Sequence, residues 1–293
     1  LCSVFIILVT IFRFDVGYDY PVYYDMVKSY PTINIGPGEL LSRFCFFLAH
    51  ESKYPPLLFI LFGILTYMFN LNALKLNSVD FSVAIISYIA FIYTTDLSNV
   101  RQSVAVAICF YGFKYIKEHK ILKYLFFCAL AFLFHQSAIF AIPIYFIYNY
   151  FNLPIFIATI LFIAFAAELL LSKFSEIGIY SQYLNILEDA PGGSISRYVI
   201  IAWVAIFLLI DVIHRNLKKN QTLYFIIIVG LILPIVFGGH FGGRVARYYI
   251  IYICILIPNV LSITSLRIRT SICALLLLYF MSFIYVDRIN TSA

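Results

Sequence analysis

The stretch NVRQSVAVAICFYGFKYIKEHKILKYLFFCALAFLFH, residues 99–135, consists of two apolar runs separated by a short cluster of lysines. Arg101 lies at the start of the first run, His135 ends the second, and the lysines fall within positions 114–123. Apolar runs with few charges are typical of helices in a bilayer, and short lysine-rich loops stay on the cytoplasmic side. The stretch therefore predicts two transmembrane helices joined on the cytoplasmic side, with Arg101 and His135 on the opposite side.

The same alternation continues along the whole chain of 293 residues. Hydrophobic residues make up 63% of the chain and charged residues only 12%, a composition that excludes an ordinary soluble domain. We therefore predict an all-α, polytopic transmembrane helical bundle that forms one integral membrane domain, residues 1–293. About eleven spans are predicted, near residues 1–12, 55–71, 81–95, 99–116, 122–134, 137–151, 154–171, 198–213, 222–238, 246–264 and 270–286.

Lysine and arginine set the predicted orientation of the bundle. The lysine-rich gaps are short, and placing them in the cytoplasm leaves two larger loops, residues 13–54 and 172–197, on the outer side. The net charge of +6 then reflects topology and contact with anionic membrane lipid, and no nucleic-acid partner is expected because no soluble module carries a basic stripe. Leu1 begins within an apolar run and is not Met, so we expect further N-terminal sequence to precede it.

Arg101 is the first candidate for chemistry. Asp96, Ser98 and Asn99 precede it, so a helix that begins near Ser98 holds the arginine in its first turn. A guanidinium at this depth in a membrane needs a partner. One interpretation is a site for phosphate oxygens, formed by the arginine together with the amides of the helix N-terminus. The other is a structural arginine that is neutralised by Asp96 or extends to lipid headgroups.

The second candidate is the segment GGHFGGRVAR, residues 238–247. Its four glycines allow the backbone to turn sharply and present amides to an anion, and Arg244 and Arg247 fall on one face of the helix that follows. We predict that Arg244 and Arg247, together with His240, bind an anionic substrate. The alternative is a flexible loop whose arginines meet lipid headgroups.

His135 and residues 13–25, which follow the predicted span 1–12, complete the predicted outer site. His135 lies at the junction of two apolar runs, where it is either a polar cap or, beside the arginines, a neutral base for a sugar hydroxyl. Asp19 is an alternative base. Tyr20 and Tyr23 offer aromatic faces for sugar rings, although interfacial tyrosines that only anchor a helix give the same pattern.

No metal and no cofactor are predicted. The carboxylates of Asp15, Asp19 and Asp25 lie close together in sequence, but three acids in one loop are a weak sign of a divalent cation. The six cysteines occur singly in or beside apolar runs, without the paired spacing of a zinc or redox site.

Several short motifs follow one another in an order shared with a known family. They are Asp19-Tyr20 with Tyr23, Gly38-Glu39, Asn99-Val100-Arg101-Gln102-Ser103, Phe134-His135-Gln136-Ser137-Ala138 with Pro143, and an arginine before a late span. On these motifs the chain resembles the EpsG family, which are Wzy-type polymerases of bacterial O-antigen, capsule or exopolysaccharide. The glycine at position 38 precedes Glu39 where the family is expected to have the glutamate first, so no role is assigned to Glu39.

The resemblance implies a glycosyltransferase of the bacterial cytoplasmic (inner) membrane that joins undecaprenyl-diphosphate-linked oligosaccharide repeat units on the outer face. It implies Arg101, Gln102, Arg244 and Arg247 as substrate-binding residues, and a flippase and a chain-length regulator as partners. His135 or Asp19 is then the base, and no metal is required because the arginines supply the positive charge.

Three other functions are weighed against this one. A lipid-linked monosugar glycosyltransferase would use Asp15 or Asp19 with a metal and add a single sugar. A flippase or exporter of lipid-linked oligosaccharide would place ionisable residues through the middle of its spans, whereas here they gather at the ends of the spans, with the exception of Glu168. A membrane acyltransferase would use a histidine on the inner side, where His119 and His214 lie in lysine-rich loops.

Overall fold

The computed structural model of the protein describes residues 2–13, 16–17, 19–32, 35–162, 192–237 and 241–292. Within these ranges the regular structure is entirely helical. A 3-10 helix, Gln136–Ala141, lies between α9 and α10. The α-helices are α1 (Cys2–Ile11), α2 (Tyr20–Lys28), α3 (Leu40–Glu51), α4 (Pro56–Asn77), α5 (Phe81–Phe91), α6 (Tyr93–Ser98), α7 (Val100–Tyr111), α8 (Phe113–Lys117), α9 (Ile121–Phe132), α10 (Pro143–Tyr150), α11 (Leu153–Phe162), α12 (Gly192–Ile213), α13 (Leu217–Val236), α14 (Gly243–Ile250), α15 (Ile253–Leu261) and α16 (Leu266–Ser292).

The predicted spans correspond to these helices, but several are broken into shorter pieces. Residues 81–116 form four consecutive helices, α5 to α8, where two long spans were predicted. In the described part of the chain, α4, α13 and the continuous stretch Gly243–Leu261 are long and apolar enough to cross a membrane. The all-helical membrane bundle is therefore confirmed, while the count of about eleven spans stays a prediction.

The centre of the bundle is formed by α4 and α7, which pack against each other. Phe59, Phe62 and Tyr67 of α4 are almost fully buried, and so are Val104 and Ile108 of α7. In a bilayer this packing is stabilised by van der Waals contact rather than by exclusion of water. The result is a fixed position for the first turn of α7, where Arg101 lies.

The other end of the bundle carries the lysine clusters. Asp80 caps α5 by accepting from the backbone N–H of Ser82 and Val83 at 2.9 and 3.1 Å, and its carboxylate also pairs with Arg269. Asp80 and Arg269 lie in two separate gaps between predicted spans, residues 72–80 and 265–269, and their contact places both gaps at the same end of the bundle. Since α7 runs from Arg101 towards the lysines that follow it, the arginine site is at the opposite end.

Candidate functional site

Four parts of the chain converge at the end of the bundle away from the lysines. They are the first turn of α7, the turn between α9 and the 3-10 helix, the start of α14, and the segment that leads into α3. Hydrogen bonds connect side chains or backbone groups from all four, which are 35 to 145 residues apart in sequence. The gathering of Arg101, His135, Arg244 and Arg247 therefore results from tertiary packing and not from one local motif.

Arg101 is paired with Glu39. The Nη1 atom of Arg101 donates to Oε2 of Glu39 at 2.7 Å, and the side chains are 18% and 6% exposed. The Tyr23 hydroxyl lies 3.5 Å from Nε of Arg101, and the guanidinium carbon is 5.6 Å from the Tyr23 ring centre. The structural alternative in which Asp96 neutralises Arg101 is wrong, because Asp96 faces a different arginine.

Glu39 reaches this position because the segment before α3 lies directly against the turn after α9. Its second oxygen, Oε1, accepts from the backbone N–H of Gln136 at 3.2 Å. A Cβ atom on Gly36 would lie 2.6 Å from Nε2 of Gln136, and one on Gly38 would lie 2.7 Å from the Phe132 ring. A side chain at either position would require Gln136 or Phe132 to move, so the two glycines allow the segment before α3 to lie close to this turn.

Arg247 is paired with Asp96 in a buried network. Its Nη2 atom donates to Oδ1 of Asp96 and to Oγ of Ser103, both at 2.8 Å. Asp96 is 1% exposed, and its Oδ2 atom also accepts from the Tyr88 hydroxyl at 2.5 Å and from Nδ2 of Asn70 at 3.3 Å. Reasoning from the sequence missed Asp96 as the partner of Arg247. The sequence indicates that an arginine within the membrane needs an acidic partner, but it does not indicate which acid that is.

Gln102 links the arginine-bearing helix α14 to the histidine turn. Its Nε2 atom donates to the backbone carbonyl of Arg244 at 2.7 Å and to Oγ of Ser137 at 3.2 Å. Its Oε1 atom accepts from Nη1 of Arg247 at 3.2 Å. Both the nitrogen and the oxygen of the Gln102 amide thus connect α7 to α14, and the nitrogen also connects it to the turn that holds His135 and Ser137.

Arg244 differs from the other two arginines. Its side chain is exposed, and it makes no side-chain hydrogen bond or ion pair with the residues that the structure describes. In that part of the chain, the three guanidinium groups face two carboxylates, those of Glu39 and Asp96. The site therefore keeps an excess of one positive charge, and Arg244 carries it at the surface of the bundle.

His135 caps the 3-10 helix, as one of the two sequence interpretations proposed. Its Nδ1 atom accepts from the backbone N–H of Ser137 at 3.2 Å and lies 2.7 Å from Oγ of Ser137, which in turn lies 3.0 Å from the Tyr248 hydroxyl. An amide N–H can only donate, so Nδ1 must be the acceptor. This assigns the proton of the neutral imidazole to Nε2.

The electrostatic surroundings keep this imidazole neutral. His135 lies in the turn between α9 and the 3-10 helix, where burial and the nearby positive charges of Arg101, Arg244 and Arg247 lower its pKa to about 3. At neutral pH, His135 is therefore a hydrogen-bond donor through Nε2 and a poor proton acceptor.

The start of α14 packs closely against α13. A Cβ atom on Gly242 would lie 2.4 Å from the carbonyl oxygen of Leu233 and 2.6 Å from Cα of Pro234. Gly243, the next residue, has open space around it. Gly242 is thus required for the helix contact that positions Arg244 and Arg247, whereas His240 lies outside the described residues.

The remaining predicted residues lie along α2. Asp19 immediately precedes this helix, and Tyr23 lies four residues later, beside Arg101. Tyr20 is 4% exposed, and its ring stacks on Phe59 with centres 4.1 Å apart. The structure therefore brings Tyr23 to the arginine site and places the Tyr20 ring in the core, while the binding roles of both stay predictions.

The structure describes only part of the acidic loop in which a metal site was considered. Asp15 lies outside the described residues, so the group of Asp15, Asp19 and Asp25 is not tested. Across the described ranges, no three His, Cys, Asp or Glu side chains are grouped closely enough to hold a metal ion.

The chain was compared with protein families, curated sequences and solved structures. The sequence model of the EpsG family matches residues 1–293, the whole of the chain. No curated protein sequence and no solved structure matches it.

Proposed function

Because this chain belongs to the EpsG family of Wzy-like polysaccharide polymerases, we propose that it joins lipid-linked oligosaccharide repeat units into a surface polysaccharide. The donor is an undecaprenyl-diphosphate-linked chain, and the acceptor is a hydroxyl of the next repeat unit. The reaction takes place on the outer face of the bacterial cytoplasmic membrane, since the arginine site lies at the end of the bundle away from the lysine clusters. A flippase that delivers the units and a regulator of chain length are the expected partners.

The observation that carries this proposal is the hydrogen-bonded assembly at the turn that holds His135. Glu39 connects Arg101 to the backbone of Gln136. Gln102 connects Ser137 to the Arg244 carbonyl and to Arg247. Transfer of a glycosyl chain from a lipid diphosphate builds negative charge on the leaving oxygens. Fixed donors aimed at those oxygens stabilise the transition state, and guanidinium groups bind phosphate oxygens through paired N–H groups. The site combines these donors at one end of a membrane bundle, where a lipid headgroup arrives.

The ion pairs of Arg101 and Arg247 are compatible with this role. A guanidinium has five N–H donors, and the carboxylates occupy Nη1 of Arg101 and Nη2 of Arg247. The pairs orient each guanidinium and leave further N–H groups for the diphosphate. Arg244 contributes the unpaired charge, and His135 adds a donor at Nε2.

We further propose that the reaction needs no divalent metal. In many transferases a metal ion neutralises the diphosphate leaving group, and three arginines at one site are suited to the same task. Chelation of divalent ions is then expected to leave the rate of polymerisation unchanged.

The test uses the purified protein in a bilayer with a synthetic undecaprenyl-diphosphate repeat unit, and a ladder of products is the expected result. Arg244→Ala is expected to slow the ladder about 10- to 100-fold, the effect of losing one charge-assisted hydrogen bond of about 1.5–3 kcal/mol. Arg267→Ala is the matched control, because Arg267 is exposed at the lysine-rich end.

The same experiment distinguishes the other functions. Addition of one sugar that depends on metal would indicate a lipid-linked monosugar transferase. Movement of the lipid across the bilayer without any product would indicate a flippase or exporter. Either result would refute the polymerase proposal.

A further inference from the structure

We propose that Glu39 is the general base that accepts the proton of the attacking hydroxyl, an inference that rests on the proposed polymerase function. The sequence assigned the base to His135 or Asp19. The hydrogen bonds of the site point to Glu39 instead, for reasons that concern donors, acceptors and position.

The first reason is that the other groups gathered around His135 are donors. Arg101, Arg244 and Arg247 remain protonated and have no acceptor atom. His135 has its only neutral acceptor, Nδ1, occupied by the N–H of Ser137, so the ring presents a donor at Nε2. Nothing in this set can take a proton from a sugar hydroxyl.

The second reason is the difference between the two carboxylates of the site. The Asp96 side chain is 1% exposed and accepts three hydrogen bonds, from Arg247, Tyr88 and Asn70. Glu39 is 6% exposed and accepts two, from Nη1 of Arg101 and from the N–H of Gln136. A carboxylate has about four lone-pair sites, so Glu39 keeps more acceptor capacity than Asp96 and is the less deeply buried of the two.

The third reason is position. Arg101 contacts Glu39 through Nη1, which leaves another edge of the guanidinium for the diphosphate. Glu39 also bonds the residue next to His135, so it lies between two groups that are assigned to the leaving diphosphate. We place the sugar C1 beside this diphosphate, so that the acceptor hydroxyl approaches it next to the Glu39 carboxylate.

The chemical step balances as follows. The hydroxyl oxygen of the acceptor sugar forms a bond to C1 of the donor chain, and its proton passes to the Glu39 carboxylate. The bond between C1 and the diphosphate oxygen breaks, and its electron pair remains on the lipid diphosphate. Arg101, Arg244, Arg247 and Nε2–H of His135 stabilise the charge on that leaving group.

The experiment compares Glu39→Gln with Glu51→Gln in the full-length protein in a bilayer, using the synthetic undecaprenyl-diphosphate repeat unit. Glu51 is exposed at the end of α3 and serves as the matched control. Loss of a general base costs about 10²- to 10⁴-fold in rate, so Glu39→Gln is expected to slow the ladder by that factor. Its KM for the lipid is expected to stay within about threefold of the wild-type value, because the base acts in the transition state.

A second variant, Glu39→Ala, tests the chemistry directly with sodium azide. Azide is an anion that attacks C1 without losing a proton, so it does not need the base. We expect this variant to release the lipid diphosphate and form a glycosyl azide while it makes no ladder. Formation of the azide product also shows that the variant is folded and binds its donor.

Each other result overturns the assignment. A Glu39→Gln variant that polymerises at the wild-type rate, or one that loses donor binding in proportion to its rate, excludes Glu39 as the base. Failure of azide to react in a Glu39→Ala protein that still binds donor excludes it as well. A wild-type protein that makes no ladder refutes the proposed function itself, so the two failures are distinguishable.

Discussion

The buried pair of Asp96 and Arg247 is expected to be strongly coupled in stability. Arg247→Ala would leave Asp96, which is 1% exposed, with hydrogen bonds from Tyr88 and Asn70 but no counter-charge. Breaking a buried pair from one side costs about 3–5 kcal/mol. Asp96→Ala is expected to cost a similar amount, because Arg247 is only 12% exposed and would keep its charge.

The double variant Asp96→Ala/Arg247→Ala removes both charges together. Its loss of stability is therefore expected to be smaller than the sum of the single losses by about 2 kcal/mol, within the range measured for residues in one network. The exposed pair of Glu118 and Lys120 provides the control. These side chains are 47% and 51% exposed at the same kind of distance, 2.7 Å, and exposed pairs are worth about 0.2–1 kcal/mol at most.

The assay is reversible unfolding in mixed detergent micelles, followed by the fluorescence of Trp203, the single tryptophan of the chain. Each of the four variants of a cycle gives a free energy of unfolding under the same conditions. Additive effects at Asp96 and Arg247, within about 0.5 kcal/mol, would show that the two residues do not share a network and would refute the reasoning.

Three further predictions concern other parts of the structure. His135→Ala is expected to slow polymerisation about 10²- to 10³-fold, whereas His135→Gln is expected to slow it much less because it keeps a donor near the Nε2 position, and a full loss in the Gln variant would contradict the donor role. Since the pKa of His135 is about 3, the ring stays neutral, and the rate is expected to show no His135 titration between about pH 5 and 8. Gly242→Ala is expected to lower both stability and polymerisation because its Cβ meets backbone atoms, whereas Gly243→Ala, with open space, is expected to behave as wild type; equal effects would contradict the packing argument. Asp80→Ala is expected to destabilise the protein by about 1 kcal/mol more than Arg269→Ala in the same unfolding assay, because it removes a helix cap as well as the ion pair, and equal losses would contradict the capping role.

The helical fold and the polar end of the bundle were predictable from the sequence. The alternation of apolar runs and lysine clusters can be recognised without knowledge of the tertiary structure, and it places Arg101 and His135 at the ends of apolar runs. The breaks within residues 81–116 were not predictable, because the chain there stays apolar through the bends at Ile92 and Gly112. Composition alone does not reveal where a buried helix changes direction.

The ion pairs of the site were only half predictable. A guanidinium in an apolar stretch requires an acid, and that much follows from the sequence. Which acid it meets depends on how α7 and α14 rotate about their axes, and this placed Glu39 on Arg101 and Asp96 on Arg247. The cap formed by His135 was predictable, because a polar residue between two apolar runs, followed by Ser137, is a local sequence signal.

The pairing of Asp96 with Arg247 also bears on biosynthesis, because the arginine is translated 151 residues after the acid. At bacterial and eukaryotic elongation rates of about 5–20 residues per second, this corresponds to a delay of about 8–30 s. During that time the nascent chain contains the Asp96 carboxylate without Arg247, the cation that neutralises it in the finished protein. A fragment that stops before residue 243 would retain this defect permanently, so this fragment is expected to be a substrate for membrane proteases when it is made alone.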